Sequence, residues 1–339
     1  MSLAAWGALF FLIGLAGTWL ARRYALARQL LDQPGERRSH TVATPRGGGI
    51  AIVAAVLAAT VAAGVKLPDF GIALAAFATG LAMVAAIGWL DDHRPLSSAL
   101  RLAVHVLASS LFALALLLES AQPAAALVAL LAPLVLTNVW NFMDGIDGLA
   151  ASQALIAGGA LVVALDGPWQ PIALALAAGS LGFLPFNVYR ARIFMGDVGS
   201  GAIGYAVGAL CAVAVVQRDG ASAWLLLPLA PFLVDAGLTL TRRMLRGERW
   251  WTAHTQHAYQ VHARRHGHPV VTAGYAIVAV IGAVFALAMM APARAEIPAI
   301  FIASCLFTWY MSAAISWGWL QHRPGKAERG AGPSHKENK

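Results

Sequence analysis

The sequence predicts an all-α, polytopic integral membrane protein, and three observations carry that prediction. Of its 339 residues 59% are hydrophobic and only 12% charged, and the mean hydropathy is +0.67, too apolar and too poor in charge for a soluble domain. The apolar residues gather into eleven segments near the length of a spanning helix, about 20 residues for about 30 Å of hydrocarbon. All of the 24 Lys and Arg except Lys66, Arg218 and Arg294 fall in alternate connections or in the C-terminal tail. That bias predicts an external N-terminus and a cytoplasmic C-terminus. The formal charge of +8 then belongs to one membrane face, where anionic lipids are a sufficient partner and no nucleic acid is required.

The segments lie near 3–21, 50–65, 70–90, 100–118, 123–139, 149–165, 170–187, 200–216, 222–241, 270–291 and 297–319. The first has no basic residues before it and no small-residue cleavage site, so it reads as a retained span rather than a signal peptide. Cys211 and Cys305 fall inside spans and read as small core residues. Residues 1–320 form one membrane domain, and 321–339, charged and rich in Gly and Pro, a disordered tail.

The first connection holds Arg37-Arg38-Ser39-His40-Thr41 and then Thr44-Pro45-Arg46-Gly47-Gly48-Gly49. Three glycines entering a helix suit either a hinge or a phosphate seat built from exposed N–H groups. The third segment ends at Asp91-Asp92-His93-Arg94-Pro95. Carboxylates oppose the dipole at a helix C-terminus, so a metal ion or a nearby Arg is expected to offset them. His105, in the fourth segment, reads as a neutral, hydrogen-bonded bundle residue.

The fifth segment delivers Asn138, Asn141, Asp144 and Asp147, one every third residue, with Gly145 and Gly148 among them. On a continuous helix they would share one slowly drifting face. The seventh ends at Asn187, and Gly196-Asp197-Val198-Gly199-Ser200 opens the eighth, as an ordinary N-cap or as the approach of a metal-bound phosphate. Asp235 lies inside the ninth, two turns before Arg242, which is long enough to reach toward it. Beyond it come Arg249-Trp250-Trp251, His254 and His257; with no third ligand evident, phosphate or sugar hydrogen bonding is preferred to zinc.

All five polar clusters, at 37–49, 91–94, 138–148, 187–200 and 249–265, fall on the side that the charge bias makes cytoplasmic. Asp91, Asp92, Asp144, Asp147 and Asp197 are therefore expected to meet in one cleft, where Mg2+, or Mn2+ in its place, and cationic side chains would offset their repulsion. Such a site argues for phosphoryl transfer between a soluble donor and a lipid acceptor.

Asp91-Asp92, the run Asn138-x-x-Asn141-x-x-Asp144-Gly145-x-Asp147-Gly148, and Phe194-Met195-Gly196-Asp197-x-Gly199-Ser200 together resemble the polyprenyl-phosphate N-acetylhexosamine-1-phosphate transferases, glycosyltransferase family 4. The resemblance covers roughly residues 35–265. It implies Mg2+-dependent transfer of HexNAc-1-phosphate from a UDP-N-acetylhexosamine to undecaprenyl phosphate, releasing UMP, at the cytoplasmic face of a bacterial inner membrane. By the same resemblance Asp197 is a metal ligand, and Asp91 and Asp92 orient or deprotonate the lipid phosphate, Asp92 also helping to hold Mg2+. Asn141, Asp144 and Asp147 shape the nucleotide and metal side, and His254 and His257 stand in for the family's histidine motif. Asn138, Asn141, Asn187, Arg94, Gly47, Gly48, Arg46 and His40 are the candidates for substrate contact.

Position 95 is Pro where the family often has Lys or Asp, which makes Arg94 the candidate replacement. That departure and the spaced histidines point to the branch that starts O-antigen in lipopolysaccharide synthesis, with UDP-GlcNAc or a 6-deoxy donor such as UDP-FucNAc. A homodimer is a further expected partnership. Two other readings stay open at this point. Asn141-x-x-Asp144-x-x-Asp147 is one residue short of the aspartate motif of UbiA-type prenyltransferases, and a proton-coupled transporter would use Asp235 in its ion path.

Overall fold

The computed structural model describes residues 2–33, 42–65, 71–249, 252, 254–291 and 298–322. His40 and the Arg37–Thr41 run, Trp250, Trp251 and the tail from 323 lie outside the described residues. All eleven apolar segments form helices: α1 Leu3–Ala27, α2 Ile50–Gly64, α3 Ile72–His93, α4 Ser98–Ser120, α5 Pro123–Met143, α6 Leu149–Ala164, α7 Trp169–Asn187, α8 Asp197–Arg218, α9 Leu226–Leu245, α11 His268–Met289 and α12 Ala299–His322. Nine of the described helices are long and apolar enough to cross a membrane; α2 and α6, with 15 and 16 residues, are shorter. Two small elements were not expected from the apolar pattern. Leu31–Asp32 (β1) pairs antiparallel with Thr44–Pro45 (β2), and the nine-residue α10, Ala258–His266, lies between α9 and α11. A 3-10 turn, Asp219–Leu225, joins α8 to α9.

Successive apolar helices alternate in direction, as contacts at the two ends show. At one end, Tyr24 of α1 meets His93 of α3 at 3.3 Å, the Gly148 amide before α6 donates to Asn187 at the end of α7 (3.0 Å), and Gln321 of α12 donates to the Gln256 carbonyl (2.7 Å). At the other, Glu119 of α4 accepts from Ala73 N of α3 (2.9 Å), and Arg218 of α8 reaches Asp166 beyond α6 (2.6 Å).

The core is organised around α8, buried along almost its whole length. Small residues let α5 lie directly against it. A Cβ on Gly204 would stand 2.1 Å from the Leu136 carbonyl, and one on Gly208 2.4 Å from Pro133 N. Phe77, Phe112, Trp169 and Tyr205 fill the space among α3, α4, α7 and α8 through edge-on and tilted ring contacts. The effect is a rigid post whose first residue is Asp197.

Candidate active site

The end of α3 meets the start of α8 because Gly88 has no side chain: a Cβ there would lie 2.4 Å from the Asp197 carbonyl. Asp92 thus reaches across to cap another helix. Its buried carboxylate accepts from Asp197 N at 3.2 Å through Oδ1 and from Val198 N at 3.1 Å through Oδ2. Arg46 flanks it, with Nε 3.9 Å from Oδ1 and Nη2 donating to the Asp92 main-chain carbonyl. Asp91 turns the other way. Its Oδ1 accepts from Leu96 N at 2.6 Å, which folds the segment after Pro95 back on itself so that Ser97 can cap α4 through the Leu100 amide. That reversal returns Arg101 to the cleft, where Nη1 donates to Asp91 Oδ2 at 2.8 Å and to Asp197 Oδ2 at 2.6 Å.

The run from Asn138 to Asp147 is not one helix. α5 stops at Met143, and Asp144 has left helical geometry (φ −91°, ψ 48°), so the four polar residues do not share the expected face. Asn138 bonds its own helix at the Leu134 carbonyl, and Asn141 reaches Ser200 of α8 at 3.3 Å. Asp144 faces the acid cluster and makes no hydrogen bond to any described residue. Burial, then the charges of Asp197 and Asp92, holds its carboxyl well above the ordinary range. Asp147 instead ties loops together: Oδ2 accepts from Ala191 N at 3.0 Å, and Oδ1 lies 3.3 Å from His268 Nδ1. Burial pushes its pKa up, but the His268 and Ala191 hydrogen bonds outweigh it and leave the group below its usual value.

The glycine run is packed rather than open. Gly48 N donates to Phe194 O and Gly49 N to Met195 O, each at 2.9 Å, so these two amides are not free for a phosphate. A Cβ on Gly49 would stand 2.4 Å from Gly199 Cα; the glycines bring α2 against the start of α8. Asn187 is likewise a clamp, accepting from Gly148 N and donating to Ile193 O at 3.1 Å while almost fully buried. Arg94 is exposed, with no side-chain partner among the described residues.

The histidines are delivered by α10, and Asp235 is what docks it. Rather than pairing with Arg242, which bonds Gln321, Asp235 accepts from Ala258 N (2.8 Å), Tyr259 N (3.0 Å), Tyr275 OH (2.7 Å), Trp317 Nε1 (3.2 Å) and Thr239 Oγ1 (3.2 Å). Its Oδ1 also lies 3.7 Å from His257 Nδ1. Tyr259 OH in turn donates to Phe142 O at 2.9 Å, fastening α10 to the turn that carries Asp144. His254 and His257 pack with tilted rings, centroids 4.8 Å apart, just before α10 and not on its face. Burial, then the charges of His257 and Arg243, lowers the His254 pKa to about 4. Buried Arg243 organises the preceding loop through Glu248 Oε2 (2.9 Å) and the carbonyls of Thr252 and Arg249 (both 3.0 Å).

One mouth therefore collects Asp91, Asp92, Asp144 and Asp197 beside Arg46 and Arg101. Among the described residues no three His, Cys, Asp or Glu side chains stand close enough to hold a metal by themselves. The donor set suits a hard cation that takes one or two carboxylates and completes its shell with water and phosphate oxygens, the habit of Mg2+. The unpartnered Asp144 carboxyl is the observation that fits such an ion. Arg101, Asp235 and Arg243 carry no motif of their own; only the chain reversals seen here bring them into play.

The description Glycosyl transferase family 4 matches residues 74–215, which include Asp91 through Asp197 but not Asp235 or the histidines. The chain is 29% identical over 295 residues to a decaprenyl-phosphate N-acetylglucosaminephosphotransferase of Mycobacterium leprae, covering 74% of this chain and 73% of that one. It is 32% identical over 209 residues to a probable undecaprenyl-phosphate N-acetylglucosaminyl 1-phosphate transferase of Bacillus subtilis, covering 57% and 58%. It is also 32% identical over 265 residues to a phospho-N-acetylmuramoyl-pentapeptide-transferase of Synechococcus elongatus, covering 68% and 70%.

Proposed function

Since the chain belongs to glycosyl transferase family 4, we propose that it transfers a HexNAc-1-phosphate from a UDP-N-acetylhexosamine to a polyprenyl phosphate, with undecaprenyl phosphate as acceptor. The observation that carries this reading is the convergence of four acids and two arginines at one end of an apolar helix bundle, where a soluble pyrophosphate can meet a lipid phosphate. An oxygen of the lipid phosphate attacks the β-phosphorus of the donor. The bond from that phosphorus to the bridging oxygen breaks, and UMP leaves with the electron pair. A phosphate monoester has a second pKa of about 6, so near neutral pH the acceptor is largely a dianion and needs no strong base. The acids are therefore assigned to holding and charge balance. Asp92 fixes α3 to α8, while Asp197, paired with Asp91 and faced by Asp144, would hold Mg2+ through one or two carboxylates. When bound, that ion neutralises phosphate charge and makes the β-phosphorus more electrophilic.

Arg46 and Arg101 are placed to bind phosphate oxygens, and His254, neutral above its lowered pKa and accepting from Gln256 N through Nδ1, to donate one hydrogen bond from Nε2 to sugar or phosphate. GlcNAc is the first donor to test, because it appears in the names of two of the relatives; a 6-deoxy-HexNAc and an O-antigen pathway come second. We place this mouth on the cytoplasmic side of a bacterial inner membrane, a reading supported by the concentration of arginines at this end. Family membership leaves the prenyltransferase and transporter readings without support. Protein purified in detergent and given Mg2+, undecaprenyl phosphate and a panel of UDP-HexNAc donors is expected to release UMP. No UMP from any donor overturns the assignment.

A further inference from the structure

We propose that Arg101 is the internal counter-ion of the acid cluster, a positioning residue that holds Asp91 and Asp197 together until a divalent cation takes its place. This inference rests on the reading of the cleft as a metal-assisted phosphoryl-transfer site. A single nitrogen, Nη1, donates to Oδ2 of both carboxylates, at 2.8 Å and 2.6 Å. The two acids come from different helices and would repel each other without it. Arg46 does not share the task, since its nearest approach is to Asp92 and its Nη2 is committed to a main-chain carbonyl.

A magnesium ion binds carboxylate oxygens at about 2.0–2.1 Å. An ion bridging these two oxygens would claim the space the guanidinium nitrogen fills, and two cations on one oxygen pair repel. Guanidinium and metal are therefore alternatives. Arg101 is free to leave: its side chain is partly exposed, it springs from the first turn of α4, and among the described residues the guanidinium's hydrogen bonds go to these two carboxylates. Once displaced, it finds a better partner in the phosphate oxygens of the donor, which a planar guanidinium binds in fork geometry. Metal alone must break the bridge uncompensated, whereas metal with a nucleoside diphosphate breaks it and re-pairs the arginine. By linkage the two ligands then favour each other's binding.

The test measures Mn2+ binding to the full-length protein in detergent, from the electron paramagnetic resonance signal of the free ion, with and without UDP. Wild type is expected to bind Mn2+ weakly alone and at least about tenfold more tightly with UDP. Arg101→Met should bind Mn2+ alone at least about tenfold more tightly than wild type and gain less from UDP. Its metal-free melting temperature should fall and be restored by Mn2+. A merely structural arginine predicts the opposite, because a disordered acid pair binds metal less well. Mn2+ affinity in Arg101→Met equal to or below wild type overturns the proposal. Should that variant not fold, Arg101→Lys decides it, with tighter Mn2+ binding than wild type in support and equal or weaker binding against. If no variant binds Mn2+ even with UDP, the metal-site reading fails and this inference with it. A failure of the transfer reading shows separately, as Mn2+ binding without UMP release from any donor.

Discussion

At the end of the bundle away from the candidate site, Asp166 and Glu119 each find a local hydrogen-bond partner. Arg218 meets Asp166 at 2.6 Å and the Ala164 carbonyl at 2.7 Å, Gln217 closes the same corner, and Glu119 caps α3. At the other end, among the described residues, Asp91, Asp92, Asp144 and Asp197 share two arginines, Arg46 and Arg101, and Asp144 has no hydrogen-bond partner. Both ends must satisfy polar groups beside hydrocarbon, yet only at the site do four carboxyls crowd together, one of them without a hydrogen-bond partner among the described residues. Crowding partly buried carboxylates together is costly unless something cationic arrives. The difference separates polar residues that hold the fold from those kept for a ligand.

The largest expected effect lies in the crowded acids themselves. Asp197→Asn and Asp92→Asn should each lower UMP release by about 10³-fold or more, the scale of losing a principal electrostatic group, while the protein still elutes as a folded species. Near-normal turnover at saturating Mg2+ would show that the crowding is not functional. Next is the docking of α10. Asp235→Asn weakens charge-assisted bonds to the Ala258 and Tyr259 amides worth about 1.5–3 kcal/mol each. A loss of turnover of roughly 10- to 100-fold is expected from partial undocking, at about 1.4 kcal/mol per factor of ten. Full activity in this variant would detach the histidine segment from the chemistry.

At the far end, Arg218→Gln should cost about 0–1 kcal/mol of stability, as exposed pairs do, and leave turnover unchanged. A marked fall in UMP release would erase the contrast between the ends. The smallest effect concerns pH. Burial holds the folded pKa of His254 at about 4, against 6.5 for an ordinary histidine, so between these values the unfolded chain binds more protons. Its contribution to stability is therefore full above about pH 6.5 and is lost as the pH falls toward 4. His254→Gln should show a shallower decline in melting temperature over that window than wild type; an identical decline would mean His254 does not titrate there.

The spans were legible because long apolar runs have no other use in so charge-poor a chain, and Asp91, Asp92 and Asp197 stood out against that background. What was hidden depended on contacts between residues far apart in sequence. Gly48 and Gly49 look like a phosphate seat until Phe194 and Met195 are seen to occupy their amides. The three-residue spacing suggested that Asp144 and Asp147 act alike, but the helix ends between Asn141 and Asp147 and sends them to different tasks. Asp235 stands out as an acid inside a span, yet apart from Thr239 its hydrogen-bond partners lie 23 to 82 residues downstream, beyond any local pattern. α10 is too short and too polar for apolar periodicity to find, and Arg101 was concealed by the turn that Asp91 closes.

The cap that Asp92 places on α8 has one more consequence, in time rather than space. The amide protons of Asp197 and Val198 are shielded from solvent by a carboxylate belonging to a different helix. Their exchange with deuterium therefore reports whether α3 and α8 are in register, not merely whether α8 is helical. A ligand that draws on Asp92 would hasten their exchange, and one that tightens the two helices would slow it. The chain thus carries at its candidate site a pair of clocks that run at a rate set by occupancy.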